Sequence, residues 1–167
     1  MRILGIDPGS QVTGYGIIEQ QGSRLHHVDN GGIFTRPTHP FPEKLRTIFE
    51  GIHDLIDRYA PQVLAIENIF YAKNHRSSFQ LGHARGVAMV AAARASLEVF
   101  EYNPTTIKQS VAGYGRASKE QIQQMVRQLL KLPEITFFDA SDALAVAICH
   151  LHSSKFAEKV KEAEEKK

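Results

Sequence analysis

The chain has 167 residues, 43% of them hydrophobic, enough to bury the core of one domain. Its net charge of +2, with histidines neutral, excludes a histone-like basic field, so contact with nucleic acid would need local clustering of cations. A single cysteine, Cys149, excludes an internal disulfide and a Cys-based zinc site. No stretch reaches the apolar length of a membrane span, and the N-terminus shows no basic n-region or cleavage site, so a cytoplasmic setting is expected.

In chain order, Ile3-Leu4-Gly5-Ile6 is a short apolar run that ends in Asp7, and Pro8-Gly9 turns the chain. Such a run bounded by Pro-Gly predicts a buried strand with Asp7 at its open end, a costly place for an uncompensated charge. Residues 12–19 predict a second strand and Gly22-Ser23 a hairpin loop. Residues 24–36 predict a third, edge strand with a bulge at Gly31-Gly32. Phe41, Leu45, Ile48, Phe49, Ile52, Leu55, Ile56 and Tyr59 follow helical spacing, and Pro61 ends that helix. Val63-Leu64-Ala65-Ile66-Glu67 repeats the opening, an apolar run closed by an acid. A loop over 70–78 then leads to an Ala- and Gly-rich helix over 79–95, a strand over 97–102 and a short helix over 104–111. Ser118 with Gln121 three residues on is a capping-box pattern that opens a helix through Leu130. A final helix is expected from Asp139 to about Ser153, and 154–167 reads as a charged tail, frayed or disordered. Residues 1–153 then form one domain. The element order predicts an α/β fold, a five-stranded mixed sheet of an antiparallel meander plus two parallel strands reached by right-handed crossovers, flanked by helices.

If the strand from Val63 runs parallel beside the first, Asp7 and Glu67 end at one sheet edge, where open α/β sheets place their sites. Asp139 and Asp142, three apart, share a helix face. Singly, each acid has an ordinary reading: Asp7 a turn residue, Glu67 a solvated strand end, Asp139 an N-cap, Asp142 a first-turn acid. Together they bring carboxylates from three elements to one place, where they would repel and raise one another's pKa. A hard dication relieves this, and oxygen-only ligands suit Mg²⁺, with Mn²⁺ able to substitute. Two ions about 3.5–4 Å apart are a common device for in-line phosphodiester cleavage.

The segments GIDPGSQVTGYG (5–16), AIENIF (65–70), LGHARGVAMVAAA (81–93) and DASDALAVAICH (139–150), in this order, resemble the RuvC family of bacterial Holliday-junction resolvases. The resemblance implies an RNase H-like fold, a homodimer, and Mg²⁺-dependent paired nicking of four-way DNA junctions in recombination and repair. It also implies cooperation with the RuvA–RuvB branch-migration complex and an acidic quartet at Asp7, Glu67, Asp139 and Asp142. Three positions depart from the family pattern: Asn68 stands where Gln is expected, and the loop reads Asn74-His75-Arg76-Ser77 in place of Asn-Ala-Asp-Ser.

Phe70 and Tyr71 sit beside Lys73, His75 and Arg76, so the loop after Glu67 combines stacking groups with cations for phosphate. Equally, Phe70 could finish the core and the cations be ordinary surface. The resemblance implies that Phe70 stacks on a base near the junction centre and that Lys108 and Lys119 hold DNA near the scissile phosphate, with Arg116 assisting. Unaided by the resemblance, solvated lysines are the commoner reading. The Gly82–Gly86 spacing allows close backbone approach, to the sheet or to a second subunit. Three rivals remain: an actin-like phosphate-binding kinase or ATPase, a non-catalytic DNA-binding scaffold, and an RNA-processing nuclease on the same fold.

Overall fold

Alternation of side chains along the strands decides how this chain layers. In the computed structural model, residues 1–22, 24–68, 75–135 and 137–164 are described, with 75–76 and 155–164 by backbone alone. The strands are β1 (Arg2–Asp7), β2 (Val12–Gln21), β3 (Arg24–Phe34), β4 (Val63–Glu67) and β5 (Glu98–Tyr102). The helices are α1 (Phe41–Tyr59), α2 (His75–Arg94), α3 (Pro104–Ala112), α4 (Lys119–Leu130) and α5 (Phe138–Glu164). One sheet has the order β3-β2-β1-β4-β5, with β3-β2-β1 antiparallel and β1-β4-β5 parallel, as the sequence predicts.

Leu4 and Ile6 of β1 and Leu64 and Ile66 of β4 point to one face, where they form a core with α1 and α2. Ile3, Val63 and Ala65 point to the other, where α3, α4 and α5 cover them. Fully burying each of these large aliphatics contributes roughly 1.5–3 kcal/mol. Helix α1 buries Ile48, Ile52, Leu55 and Ile56 and stops at Ala60, whose left-handed backbone (φ 45°) precedes Pro61. On α2 the small residues divide. Ala84, Ala88, Ala91 and Ala92 are buried against the sheet, while Gly82 and Gly86 face open space.

Three expectations need correction. The bulge in β3 falls at Val28, where the pairing steps from Ile17–Asp29 to Ile18–His27; Gly31 and Gly32 lie in regular register, with the rings of Tyr15 and Phe137 against them. Helix α2 begins at His75 instead of Phe79. Helix α5 begins one residue early, at Phe138, and its backbone continues to Glu164, past the expected end near Ser153.

Candidate active site

Strand register brings the first two acids together. β1 and β4 pair in parallel up to Ile6–Ile66, so Asp7 and Glu67 follow abreast at the ends of adjacent strands. By alternation with Ile3 and Ala65, both side chains project to the face covered by α5. The turn after Asp7 is fixed from within: the buried Thr13 hydroxyl donates to the Gly9 carbonyl at 2.8 Å. It is also tied to the edge strand, since the Thr35 hydroxyl donates to the Ser10 carbonyl at 2.8 Å and the Thr35 N–H to the Gln11 carbonyl at 2.9 Å.

The other two acids arrive on α5, and glycines set how close that helix comes. A Cβ on Gly5 would stand 2.1 Å from the Ala143 carbonyl oxygen, and one on Gly14 2.1 Å from that of Asp139. The missing side chains let α5 lie directly on the backbones of β1 and β2. Leu144, Ile148 and Leu151 are buried beneath it, as expected from the sequence. Because the helix starts at Phe138, Asp139 is a first-turn residue and not the N-cap. Asp142 lines one cavity with Asp7 and Glu67, about 270 Å³ in volume, which Lys108 and Lys119 also line. Asp139 does not line this cavity, although its charge reaches Asp7.

Lys119 is delivered by the capping box. The Ser118 hydroxyl accepts from the Gln121 N–H, the Gln121 side chain accepts from the Ser118 N–H, and α4 opens at Lys119. Its Nζ donates to Asp142 Oδ2 at 3.0 Å. With Lys119 65% exposed, the pair is a solvent-screened one and of small stabilising value.

Burial holds the Asp7 carboxyl well above the usual carboxylate range, and the charges of Asp142, Glu67 and Asp139 push it further, with Lys119 opposing. Glu67 is raised by burial and by Asp142, against Lys119 and Lys108. The Lys119 ammonium is raised in turn, first by its hydrogen bond to Asp142. Among the described residues neither Asp7 nor Glu67 has a side-chain hydrogen bond. The cluster is therefore an excess of hard oxygen donors with two lysines beside it. As the side chains lie, no three His, Cys, Asp or Glu groups among the described residues close into a metal cage.

Behind the site, Arg85 of α2 grips the strand ends from the opposite face. Its Nε donates to the Glu67 carbonyl at 3.3 Å, and its guanidinium pairs with Glu101 of β5. The Asn68 N–H donates to the Tyr102 carbonyl at 2.8 Å, and the Tyr102 hydroxyl is hydrogen-bonded to the buried His150 Nδ1, also at 2.8 Å. Arg85, Gly5 and Gly14 are absent from the site predicted by sequence, although all three lie inside the motifs quoted above. Arg116 is exposed and does not line the cavity. Phe70, Tyr71 and Lys73 lie outside the described residues, as does the side chain of Arg76.

The family model described as "Crossover junction endodeoxyribonuclease RuvC" matches residues 3–150. A protein of that name from Syntrophotalea carbinolica is 61% identical over 152 residues, covering 91% of this chain and 94% of the relative. One from Trichlorobacter lovleyi is 56% identical over 153 residues, covering 92% and 86%. Among solved structures, T. thermophilus RuvC in complex with a Holliday junction substrate superposes with a TM-score of 0.89 at 31% identity, covering 94% of this chain and 96% of that one. The mixed sheet, its order and its flanking helices are thus the RNase H-like fold of these resolvases, and the chain belongs to the RuvC family of crossover junction endodeoxyribonucleases.

Proposed function

We propose that the chain is a structure-selective endodeoxyribonuclease that resolves Holliday junctions by paired symmetric nicks, in homologous recombination and DNA repair. The observation that carries this reading is the convergence of Asp7, Glu67 and Asp142 on one cavity beside two lysines. In the reaction, water attacks a backbone phosphorus, a new P–O bond forms, and the P–O bond to one deoxyribose breaks.

The donor chemistry fits Mg²⁺. The ligands are hard oxygens, negative charge is in excess, and the raised carboxyls of Asp7 and Glu67 are what a dication would relieve. Asp7, Glu67 and Asp142, which line the cavity, would hold it together with Asp139, two ions per subunit. Bound there, Mg²⁺ supplies Lewis-acid activation of water and charge stabilisation at the leaving oxygen. Lys119 and Lys108 hold the scissile phosphate and balance the acids. Phe70, Tyr71, Lys73, Arg76 and Arg116 contact the junction further out, a role supported by the sequence alone.

Two nicks of matching polarity need two equivalent sites, which a two-fold homodimer supplies. The surface that suits this is an apolar groove of about 700 Å³ between α1 and α2, lined by Leu45, Phe49, Phe79, Gly82, Gly86 and Val90. Phe79 and Val90 are exposed there, and nothing lies within 4 Å of a Cβ on either glycine, so a partner helix can approach closely. Cooperation with RuvA–RuvB and a cytoplasmic setting follow from the same reading; no described helix is long and apolar enough to cross a membrane.

The test is cleavage of a synthetic four-way junction with and without Mg²⁺, beside linear duplex and RNA–DNA hybrid. Symmetric nicks in the junction alone are expected. Asp7→Asn should abolish them while junction binding in Ca²⁺ persists. Cutting of the hybrid in preference to the junction would overturn the reading in favour of an RNA-processing nuclease.

A further inference from the structure

The described surface holds few exposed large apolar side chains, and two of them are linked through Phe137, Phe34 by a ring contact and Phe138 as its neighbour in the chain. Phe34, at the end of β3, is 62% exposed, and Phe138, at the start of α5, is 40% exposed. Between them Phe137 is partly buried, its ring 5.8 Å from that of Phe34 and tilted by 59°. Isolated exposed apolar residues are ordinary. Exposed aromatics at a functional edge are not accounted for by the core: Phe34 and Phe138 belong to neither hydrophobic cluster, while Phe137 packs against the one beneath α5 and seats them.

The placement of these rings is specific. Phe34 shares its sheet face with Gly32, against which Phe137 packs, and with Asp7 two strands away. Gly32 pairs with Gly14, and Gly14 with Asp7, so Phe34 is displaced from Asp7 by two strand spacings across and two residues along. At about 4.8 Å per strand and 3.4 Å per residue, the backbones are roughly 12 Å apart. That is three to four base steps at about 3.4 Å each along one DNA strand. The ledge is also held fixed relative to the site. Thr35, next to Phe34, carries the hydrogen bonds to the turn after Asp7, and Phe138 directly precedes Asp139. Arg36, exposed one residue beyond Thr35, supplies a cation for the phosphate backbone.

We propose that Phe34, Phe137 and Phe138 form an aromatic ledge that stacks against exposed bases of the substrate DNA, three to four nucleotides from the scissile phosphate on the β3 side of Asp7. Every base offers a π-face, so such a ledge binds without reading sequence and favours unpaired or splayed nucleotides over stacked duplex. In the strand order it lies on the β3 side of Asp7, away from β4 and Glu67. The proposal rests on the junction-resolving reading above, since it takes junction DNA as the ligand.

The experiment uses full-length protein and a four-way junction carrying 2-aminopurine at the third or fourth nucleotide from the cut site, with binding measured in Ca²⁺. Wild type should change the 2-aminopurine fluorescence on binding. The double substitution Phe34→Ala with Phe138→Ala should weaken binding about tenfold or more and abolish that signal, while Phe34→Tyr keeps both. Wild-type binding with the double variant equal to it in affinity and fluorescence would overturn the ledge and leave the resolvase reading intact. Failure of wild type to bind the junction at all would overturn the resolvase reading, and the ledge with it. A change in oligomeric state on losing both rings, seen by sedimentation, would make the patch a protein contact and overturn the proposal.

Discussion

Gly5→Ala tests whether backbone contact between α5 and the sheet sets the site. The new Cβ would meet the Ala143 carbonyl oxygen at 2.1 Å, with Ala147 Cβ and N both at 3.0 Å. The obstacle is helix backbone, which has no rotamer by which to escape. To reach an ordinary contact α5 must withdraw by about 1 Å, and Asp142, one residue before Ala143, withdraws with it. Overpacking of this kind costs roughly 1–3 kcal/mol. At about 2–4 °C per kcal/mol for a chain of this size, Tm should fall by several degrees. A misplacement of about 1 Å at a reacting centre costs on the order of 10²-fold in rate. Single-turnover junction cleavage at saturating enzyme should therefore fall by about that factor, with junction affinity in Ca²⁺ much less changed. Gly82→Ala is the control for stability, because its Cβ meets nothing within 4 Å. Cleavage within twofold of wild type, with Tm unchanged in Gly5→Ala, would refute the seating of α5 as the determinant of the site.

Four further outcomes are expected. Asp7 and Glu67 have folded pKa values above their unfolded ones, so their stabilising contribution is complete at low pH and is lost as pH rises from about 4 through the raised values; in EDTA, Tm should fall over that window. At neutral pH in EDTA, Asp7→Asn should melt higher than wild type, by roughly 2–4 °C for each kcal/mol relieved, and an equal or lower Tm would contradict the burial and repulsion described at Asp7. Ser118→Ala removes half of the capping box and should cost about 1 kcal/mol by chemical denaturation, with weaker phosphate contact by Lys119 appearing as a higher KM for junction. Arg85→Gln loosens the end of β4 from behind and should lower kcat about tenfold or more without changing junction affinity in Ca²⁺.

The parts of the site that were legible in the sequence are those written in local chemistry. Asp7 follows an apolar run and precedes Pro-Gly; Glu67 ends the second such run; Ser118 and Gln121 spell their capping box in four residues. Each depends on neighbours in the chain, and the parallel pairing of β1 with β4 then follows from the crossover rule. What was not legible depends on contacts between distant segments. Gly31-Gly32 looked like a bulge, yet these glycines make room for Tyr15 and Phe137, and the bulge formed at Val28, which carries no sequence mark. Gly5 and Gly14 read as strand glycines until α5 is seen resting on them. Asp139 reads as a cap because Asp favours that position, but the helix begins one residue earlier, at Phe138. Arg85 could be placed only once α2 lay behind the ends of β4 and β5.

The bulge at Val28 bears on how copies of this chain can meet. An open five-stranded sheet has two edges, and an edge with unpaired backbone groups invites another strand. Along β3 the bulge increases local twist, and Arg24, His26 and His27 place polar and charged groups on the same strand. Strand β5 carries Glu98 and Glu101 along its short length. Both edges are thus guarded against sheet-to-sheet addition. The homodimer proposed above would then form through the helical layer at α1 and α2, where a partner could be joined and released without any strand leaving the sheet that holds Asp7 and Glu67.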